Sequence, residues 1–332
     1  MVSREKTGAE KIVEHLKTLQ TQKWLAHNKW WPRYLFHFTD ITNAVKIFES
    51  GALFSRNKAI SENLMQCENA SPDVISNTKE EYKDYVRLYF RPRTPTQYHN
   101  EGFRPLNDRQ LGGAHCPIPI IFLFNSEPIL TDSETYYSDG NIASPNVKID
   151  NLSEFYLSLN FEDIYHDSSL YGYDLYTRSS INYHKQSEVL IKNELKLDQL
   201  SCIFCRSSAE YNTLKNLLSA DIWEKWSSKI GVDNKNVFYF NRWPYVTEVE
   251  LNIHNIIIYL NPIIQGPYKV RVEIINAASN SLHLWEKENY FFDKEIKLSL
   301  DKINNLSLYT CKIIIDDHIA YFNSFSEEEI IF

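Results

Sequence analysis

Residues 33–59 read RYLFHFTDITNAVKIFESGALFSRNKA, and the fold class turns on how this stretch is divided. Tyr34, Leu35, Phe36 and Phe38 make a short aromatic strand. Asp40 can cap a following helix, Ile41, Ala44, Val45 and Phe48 recur at helical spacing, and Gly51 falls where a helix end takes a left-handed residue. A strand passing directly into a helix argues for mixed α and β structure. It leaves His37 and Thr39 at the strand's carboxyl end or just past it, within reach of a ligand. A lone histidine among aromatics is more often than not a satisfied core residue, so the rest of the chain has to decide.

Working outward, Ile12, Leu16 and Leu19 among Lys, Glu and Gln predict an amphipathic helix over residues 5–28. Residues 55–82 are polar and without a clear period, which reads as a loop with a short helix; long loops of this kind are often functional lids. YVRLYF at 85–90, CPIPIIFLFNS at 116–126 and HKQSEVLIK at 184–192 read as strands, and YSDGNIAS at 137–144 holds a tight turn. A helix is expected after Ala209 through Leu214, Leu217, Leu218, Ile222 and Trp226. Beyond Val237 the text alternates polar and apolar, as in VTEVELNI, YKVRVEII, EIKLSL and YTCKIIID, with turns at NPIIQGP and NAASNS. That is the pattern of a small antiparallel sandwich. Two domains are expected, residues 1–235 and 236–332.

Composition excludes several classes. Of 332 residues, 43% are hydrophobic, only nine are Gly, and the formal charge is −8, so disorder, collagen-like repeats and a uniformly basic coat are all ruled out. A local basic groove remains open. The five cysteines are odd in number and sit mostly in apolar runs, as expected of reduced thiols in a cytoplasm. Cys202 and Cys205 form a single CIFC with no second pair, which reads as buried thiols, so no metal is expected. No apolar run approaches the ~18 residues that cross a bilayer, and the opening MVSREKTGAEKIVEHL has no apolar leader core, so no membrane association is expected.

In a strand over 184–192, Gln186 and Glu188 would share one face. A polar pair flanked by Val189, Leu190 and Ile191 faces either solvent or a site. Basic residues gather at Arg87, Arg91, Arg93, Arg104 and Arg109, then at Arg178, His184 and Lys185, interleaved with Tyr89, Phe90, Tyr98 and Phe103. Cations that track phosphates beside aromatics that stack bases suit single-stranded nucleic acid, although such a set can also be a solvated face over core aromatics. No Gly-rich phosphate loop is present.

Four segments in this order resemble the DarT family of DNA ADP-ribosyltransferase toxins over about residues 34–205. They are YLFHFTDITNAVKIFESGALFSRN, YVRLYFRPRTPTQY, SDGNIAS and HKQSEVLI. Asp40, Arg87, Thr94 and Thr96 depart from the family pattern, and the C-terminal part lies outside it. The resemblance implies an α+β, ADP-ribosyltransferase-like core of two packed sheets with peripheral helices. It implies NAD as co-substrate, transfer of ADP-ribose to a base of single-stranded DNA, Glu188 and Arg93 as catalytic residues, and His37, Thr39, Asn57 and Arg93 as contacts to NAD. Gln186, Arg91, Arg104, Arg109, Arg178 and Lys185 are the expected acceptor contacts. A cytoplasmic toxin or phage-defence effector, paired with an antitoxin such as a macrodomain ADP-ribosyl hydrolase, is the role that follows. A carboxylate at Glu188 suits the chemistry, because breaking the nicotinamide bond generates an oxocarbenium-like ribose. Three other readings stay open: an enzyme of the same fold that modifies RNA or protein or merely hydrolyses NAD, a non-catalytic binding module, and a C-terminal sandwich that is itself the main functional part, such as a docking module for a partner.

Overall fold

Asp40 is where the strand becomes a helix. The protein is described by a computed structural model over residues 5–109, 113–261, 266–303 and 306–327. Strand β1 is Tyr34–Asp40 and the next helix is Ile41–Ser50. One carboxylate oxygen of Asp40 accepts from Thr42 N at 3.0 Å and Thr42 Oγ1 at 2.7 Å, which caps the helix; the other accepts from Ile118 N at 3.3 Å. Gly51 ends the helix at φ 72°, with its N–H donated to Ile47 O at 3.0 Å.

The remaining strands of this part are β2 (Ala52–Phe54), β3 (Tyr85–Tyr89), β4 (Pro119–Asn125), β5 (Tyr136–Ser138), β6 (Ile149–Asp150), β7 (Glu188–Lys192), β8 (Glu194–Lys196), β9 (Leu200–Cys205) and β10 (Ile230–Val232). Eight of the ten form one sheet in the order β10-β9-β4-β1-β3-β7-β5-β6, and β2 pairs with β8. In place of two packed sheets there is one row, almost divided. β1 pairs with β4 over seven residues, from Tyr34↔Asn125 to Asp40↔Pro119, but with β3 only at Phe36↔Tyr89. That single pair joins the two halves of the sheet.

Later strands are β11 (Val246–Leu251), β12 (Asn255–Leu260), β13 (Tyr268–Asn276), β14 (Ser281–Tyr290), β15 (Glu295–Ser299), β16 (Leu308–Ile315) and β17 (His318–Ser326). They form two antiparallel sheets, β11-β12-β15 and β14-β13-β16-β17. Alternation places Ile256, Ile258, Val270, Val272 and Ile274 inside. Tyr268 donates its hydroxyl to Phe103 O at 2.9 Å, and Phe322 N donates to Thr213 Oγ1 at 3.1 Å, so these sheets are bonded to the N-terminal part.

Several elements differ from the sequence expectation. The N-terminal helix is Ala9–Leu19, followed by a 3₁₀ segment, Lys23–Asn28, interrupted at Ala26 with φ 48°. The expected loop over 55–82 contains the helices Arg56–Ser61 and Pro72–Asn77, capped by Ser55 and Ser71. The helix after Ala209 is two, Ser208–Leu217 and Ala220–Trp226. Only Glu188–Lys192 of HKQSEVLIK is a strand, because the helix Leu175–His184 runs into it. Most of the NPIIQGP turn, residues 262–265, lies outside the described residues. Among the described residues no helix is long and apolar enough to cross a membrane.

Candidate active site

Past Phe36↔Tyr89 the ladder between β1 and β3 is lost, and a side chain takes its place. His37 Nδ1 lies 3.1 Å from Arg87 O. A carbonyl only accepts, so Nδ1 carries the proton and Nε2 is bare. Burial pushes this imidazole down to about 4, which keeps it neutral at pH 7. A cavity of about 500 Å³ opens at this seam, lined by His37, Thr39, Asn43, Arg56, Arg87, Tyr89, Asn141, Gln186 and Glu188 among others. That size falls within the range of ligand pockets. Its outer wall is the segment expected to act as a lid: Asn43 pins it by donating Nδ2 to Cys67 O at 2.8 Å and accepting Cys67 N on Oδ1 at 3.0 Å.

Glu188 opens β7 directly opposite Tyr89. Its N–H donates to Ser138 Oγ at 2.9 Å, which fixes the strand's entry. The side chain is buried, Oε2 has no hydrogen-bond partner among the described residues, and Arg87 Nε lies 3.8 Å from it. Burial pushes the carboxyl up to about 7, against the opposing pull of Arg87. Arg87 Nη2 is 3.4 Å from Thr78 Oγ1, and Thr39 Oγ1 accepts from Asn43 Nδ2 at 3.1 Å.

Gln186 reaches the same cavity from a different element. It lies in the turn after the helix Leu175–His184, not on the strand beside Glu188; Oε1 accepts from Asn141 Nδ2 at 2.9 Å and Nε2 donates to Asn182 O at 2.9 Å. The SDGN turn is clamped to this helix, with Tyr183 OH on Asp139 Oδ1 at 2.6 Å and His184 Nδ1 on Asp139 O at 2.8 Å. Gly140 is required because a Cβ there would come within 2.3 Å of the Tyr183 ring.

The other expected residues are held elsewhere. Arg93 does not line the cavity: it donates Nη2 to Asp167 Oδ2 at 2.5 Å, while Arg91 donates Nη2 to Asp167 Oδ1 at 2.9 Å. Arg91 is buried against the Trp31 ring at 5.1 Å. Arg104 is buried over the Trp243 ring at 4.4 Å and donates Nη2 to Tyr98 O at 3.1 Å. Arg109 donates Nε to Arg104 O at 3.1 Å and lies 3.6 Å from Asp316. Asn57 donates Nδ2 to Asp84 Oδ1 at 2.9 Å. Arg178 sits part-buried on the helix Leu175–His184, and burial pushes Lys185 just after it down to about 8. None of Asn57, Arg91, Arg104, Arg109, Arg178 and Lys185 lines the cavity. A guanidinium taken out of water needs carbonyls and carboxylates around it; Arg91 and Arg109 have found theirs in the protein, whereas Arg104 bonds through Nη2 and lies over the Trp243 ring. Sequence reading ranked Arg87 only as one cation and Tyr89 only as one stacking aromatic among several, and gave no role to Asn43 or Asn141. The usable signal was the alternation in YVRLYF, which puts Arg87 and Tyr89 on one face.

The family model described as ssDNA thymidine ADP-ribosyltransferase, DarT, matches residues 36–240. No curated protein matches the chain. Among solved structures, the Thermus sp. 2.9 DarT in complex with NAD+ has a TM-score of 0.46 at 16% identity, covering 63% of this chain and 98% of that one. The same protein in complex with ADP-ribosylated ssDNA has a TM-score of 0.47 at 16% identity, covering 63% and 97%. The Thermosipho africanus DarTG in complex with ADP-ribose has a TM-score of 0.44 at 16% identity, covering 66% of this chain and 53% of that one.

Proposed function

The chain belongs to the DarT family of single-stranded-DNA thymidine ADP-ribosyltransferases, and we propose that the seam cavity is where ADP-ribose passes from NAD to thymidine. The observation that carries this is Glu188, a buried carboxylate with an unbonded oxygen on the wall of a cavity large enough for a ligand. The N-glycosidic bond of NAD breaks, nicotinamide leaves neutral with the bonding pair, and C1′ of the ribose becomes electron-poor. The ionised Glu188 beside the ribose stabilises that charge. The thymine base then bonds C1′ and one proton is released. The bare Nε2 of His37 and the Thr39 hydroxyl hold the nicotinamide ribose, while Gln186 faces the acceptor with an amide that both donates and accepts. NAD is consumed as co-substrate and no metal enters these steps.

The two C-terminal sheets are an accessory β-sandwich module over 236–332. Base modification blocks templating, so a cell making this enzyme needs a counter-activity. The partner is an antitoxin that hydrolyses the mark, a macrodomain protein, and the pair acts in the cytoplasm in defence against phage.

Mass spectrometry of a thymidine-containing oligonucleotide incubated with NAD and enzyme tests this reading. Nicotinamide together with an ADP-ribose adduct on thymidine is expected. Nicotinamide without an adduct makes the protein an NAD hydrolase, and labelling of RNA or protein in preference to DNA replaces the acceptor. Absence of nicotinamide release leaves a binding module.

A further inference from the structure

We propose that Arg87, and not Arg93, is the cation of this active site: a positioning residue whose guanidinium holds Glu188 ionised at the cavity wall. This rests on the reading of the seam cavity as the transfer site.

Register places the pair. Tyr89 lies opposite Glu188 across β3 and β7, so Arg87, two residues away on the same face, is the diagonal neighbour of Glu188. The Arg87 Nε lies 3.8 Å from Glu188 Oε2, an oxygen without a hydrogen-bond partner. The carboxylate side chain is 4% exposed and that of the arginine 24%, so the charge of Arg87 reaches Glu188 through protein while its outer face meets the cavity. Among the described residues Glu188 forms no other ion pair. The other cations on the cavity wall have carboxylates of their own: Arg56 has Glu68, Lys46 has Glu49 and Lys83 has Glu80. Of the remaining titratable groups facing this space, His37 on β1 is neutral, Tyr85 and Tyr89 on β3 and Cys67 are held in their protonated forms by burial, and His99 comes from the helix Pro95–Asn100. Arg93 is committed to Asp167 at 2.5 Å. An opposite charge within ~4–6 Å lowers a carboxyl pKa by about 1–3 units, which separates an ionised from a protonated Glu188 near neutral pH.

The test is the acid limb of nicotinamide release against pH at saturating NAD, in the full chain. Wild type is expected to lose activity as pH falls through about 7, where Glu188 takes up its proton. Arg87→Gln moves that midpoint up by about one unit or more, and Arg87→Lys returns most of the shift, because it restores the charge without the fork. Arg87→Met, which keeps much of the stem, is the second neutral variant in case the glutamine does not fold; melting curves accompany both. Arg93→Gln leaves the midpoint unchanged. A folded neutral Arg87 variant with the wild-type midpoint, whether active or uniformly slowed, overturns the proposal. Glu188→Gln separates the two readings: if it turns over at the wild-type rate, the transfer site itself is misplaced, whereas if it is dead while neutral Arg87 variants keep the wild-type limb, only the role of Arg87 fails.

Discussion

Strand β3 and the loop after it carry three arginines within seven residues of chain, and the carboxylates they meet are treated very differently. Asp167 is saturated: Arg91 and Arg93 each take one of its oxygens, and Arg91 also donates Nε to Pro92 O at 3.0 Å. Among the described residues Glu188 has one cation at 3.8 Å and no hydrogen bond on Oε2, and its carboxyl is pushed up to about 7. A carboxylate with all its bonds made ties two segments together and has nothing left for a substrate. A buried one with an open oxygen on a cavity wall costs stability and persists where the site uses it. Backbone geometry agrees, since Arg93 is fixed at φ 55° with its N–H donated to Gln97 Oε1 at 3.2 Å, and Gln97 itself bonds Glu101 and Phe238.

The largest effect expected from this contrast is on stability. Asp167→Ala leaves the buried Arg91 guanidinium unpaired and should cost about 3–5 kcal/mol in urea unfolding. A loss under about 1 kcal/mol would mean that the Asp167 cluster is a surface pair.

Glu188→Gln should do the reverse, in a pH-dependent way. The folded-state carboxyl is raised from 4.5 to about 7, so the native protein binds the proton more tightly, and wild-type stability falls as pH rises through that window. The glutamine variant lacks this loss and should gain about 1–3 kcal/mol on wild type between pH 5 and pH 8. Parallel melting curves at the two pH values would contradict the burial argument.

Histidine supplies the opposite slope. His37 and His115 are lowered from 6.5 to about 4 and about 3 by burial, so the unfolded chain takes up protons first and stability falls as pH drops from 6.5 towards 4. His37→Gln should flatten that limb and also raise the NAD concentration needed for half-maximal rate. A lost limb with an unchanged NAD requirement returns His37 to a purely structural role.

The smallest change is expected at Arg93→Lys, which keeps a charge beside Asp167 and should leave nicotinamide release within a few-fold of wild type, about 1 kcal/mol or less in the barrier. A hundred-fold loss would return Arg93 to the chemistry.

How far the sequence carries depends on the range of the interaction. The β1-to-helix junction was legible because its signals are local: Asp40 caps two residues on, and Gly51 closes onto Ile47. Glu188 was expected at a site from QSE and the family order, and it lies on the cavity wall. Gln186 was misplaced because the helix Leu175–His184 has only one buried residue, Ile181, and no apolar stripe to announce it. Arg93 was expected at the cavity and lies off it because its partner is 74 residues away, and no periodicity connects Arg93 to Asp167. The basic track over Arg91, Arg104 and Arg109 disappeared for the same reason: Asp167, Trp243 and Asp316 come from distant segments. Arg87 was visible as a departure from the family segment, and only the register of β3 on β7 gave it a partner.

The most direct measurement is the rate of ADP-ribose adduct formation on a thymidine-containing oligonucleotide by Glu188→Gln and Asp167→Asn in the same assay, each normalised to folded protein. Glu188→Gln should fall about 10²-fold or more with no loss of melting temperature, because a preorganised charge has been lost at the transition state. Asp167→Asn should melt earlier yet transfer within a few-fold of wild type per folded molecule. Adduct formation by Glu188→Gln at more than about a tenth of the wild-type rate, or its loss only in Asp167→Asn, would contradict a transfer site at the seam of the sheet.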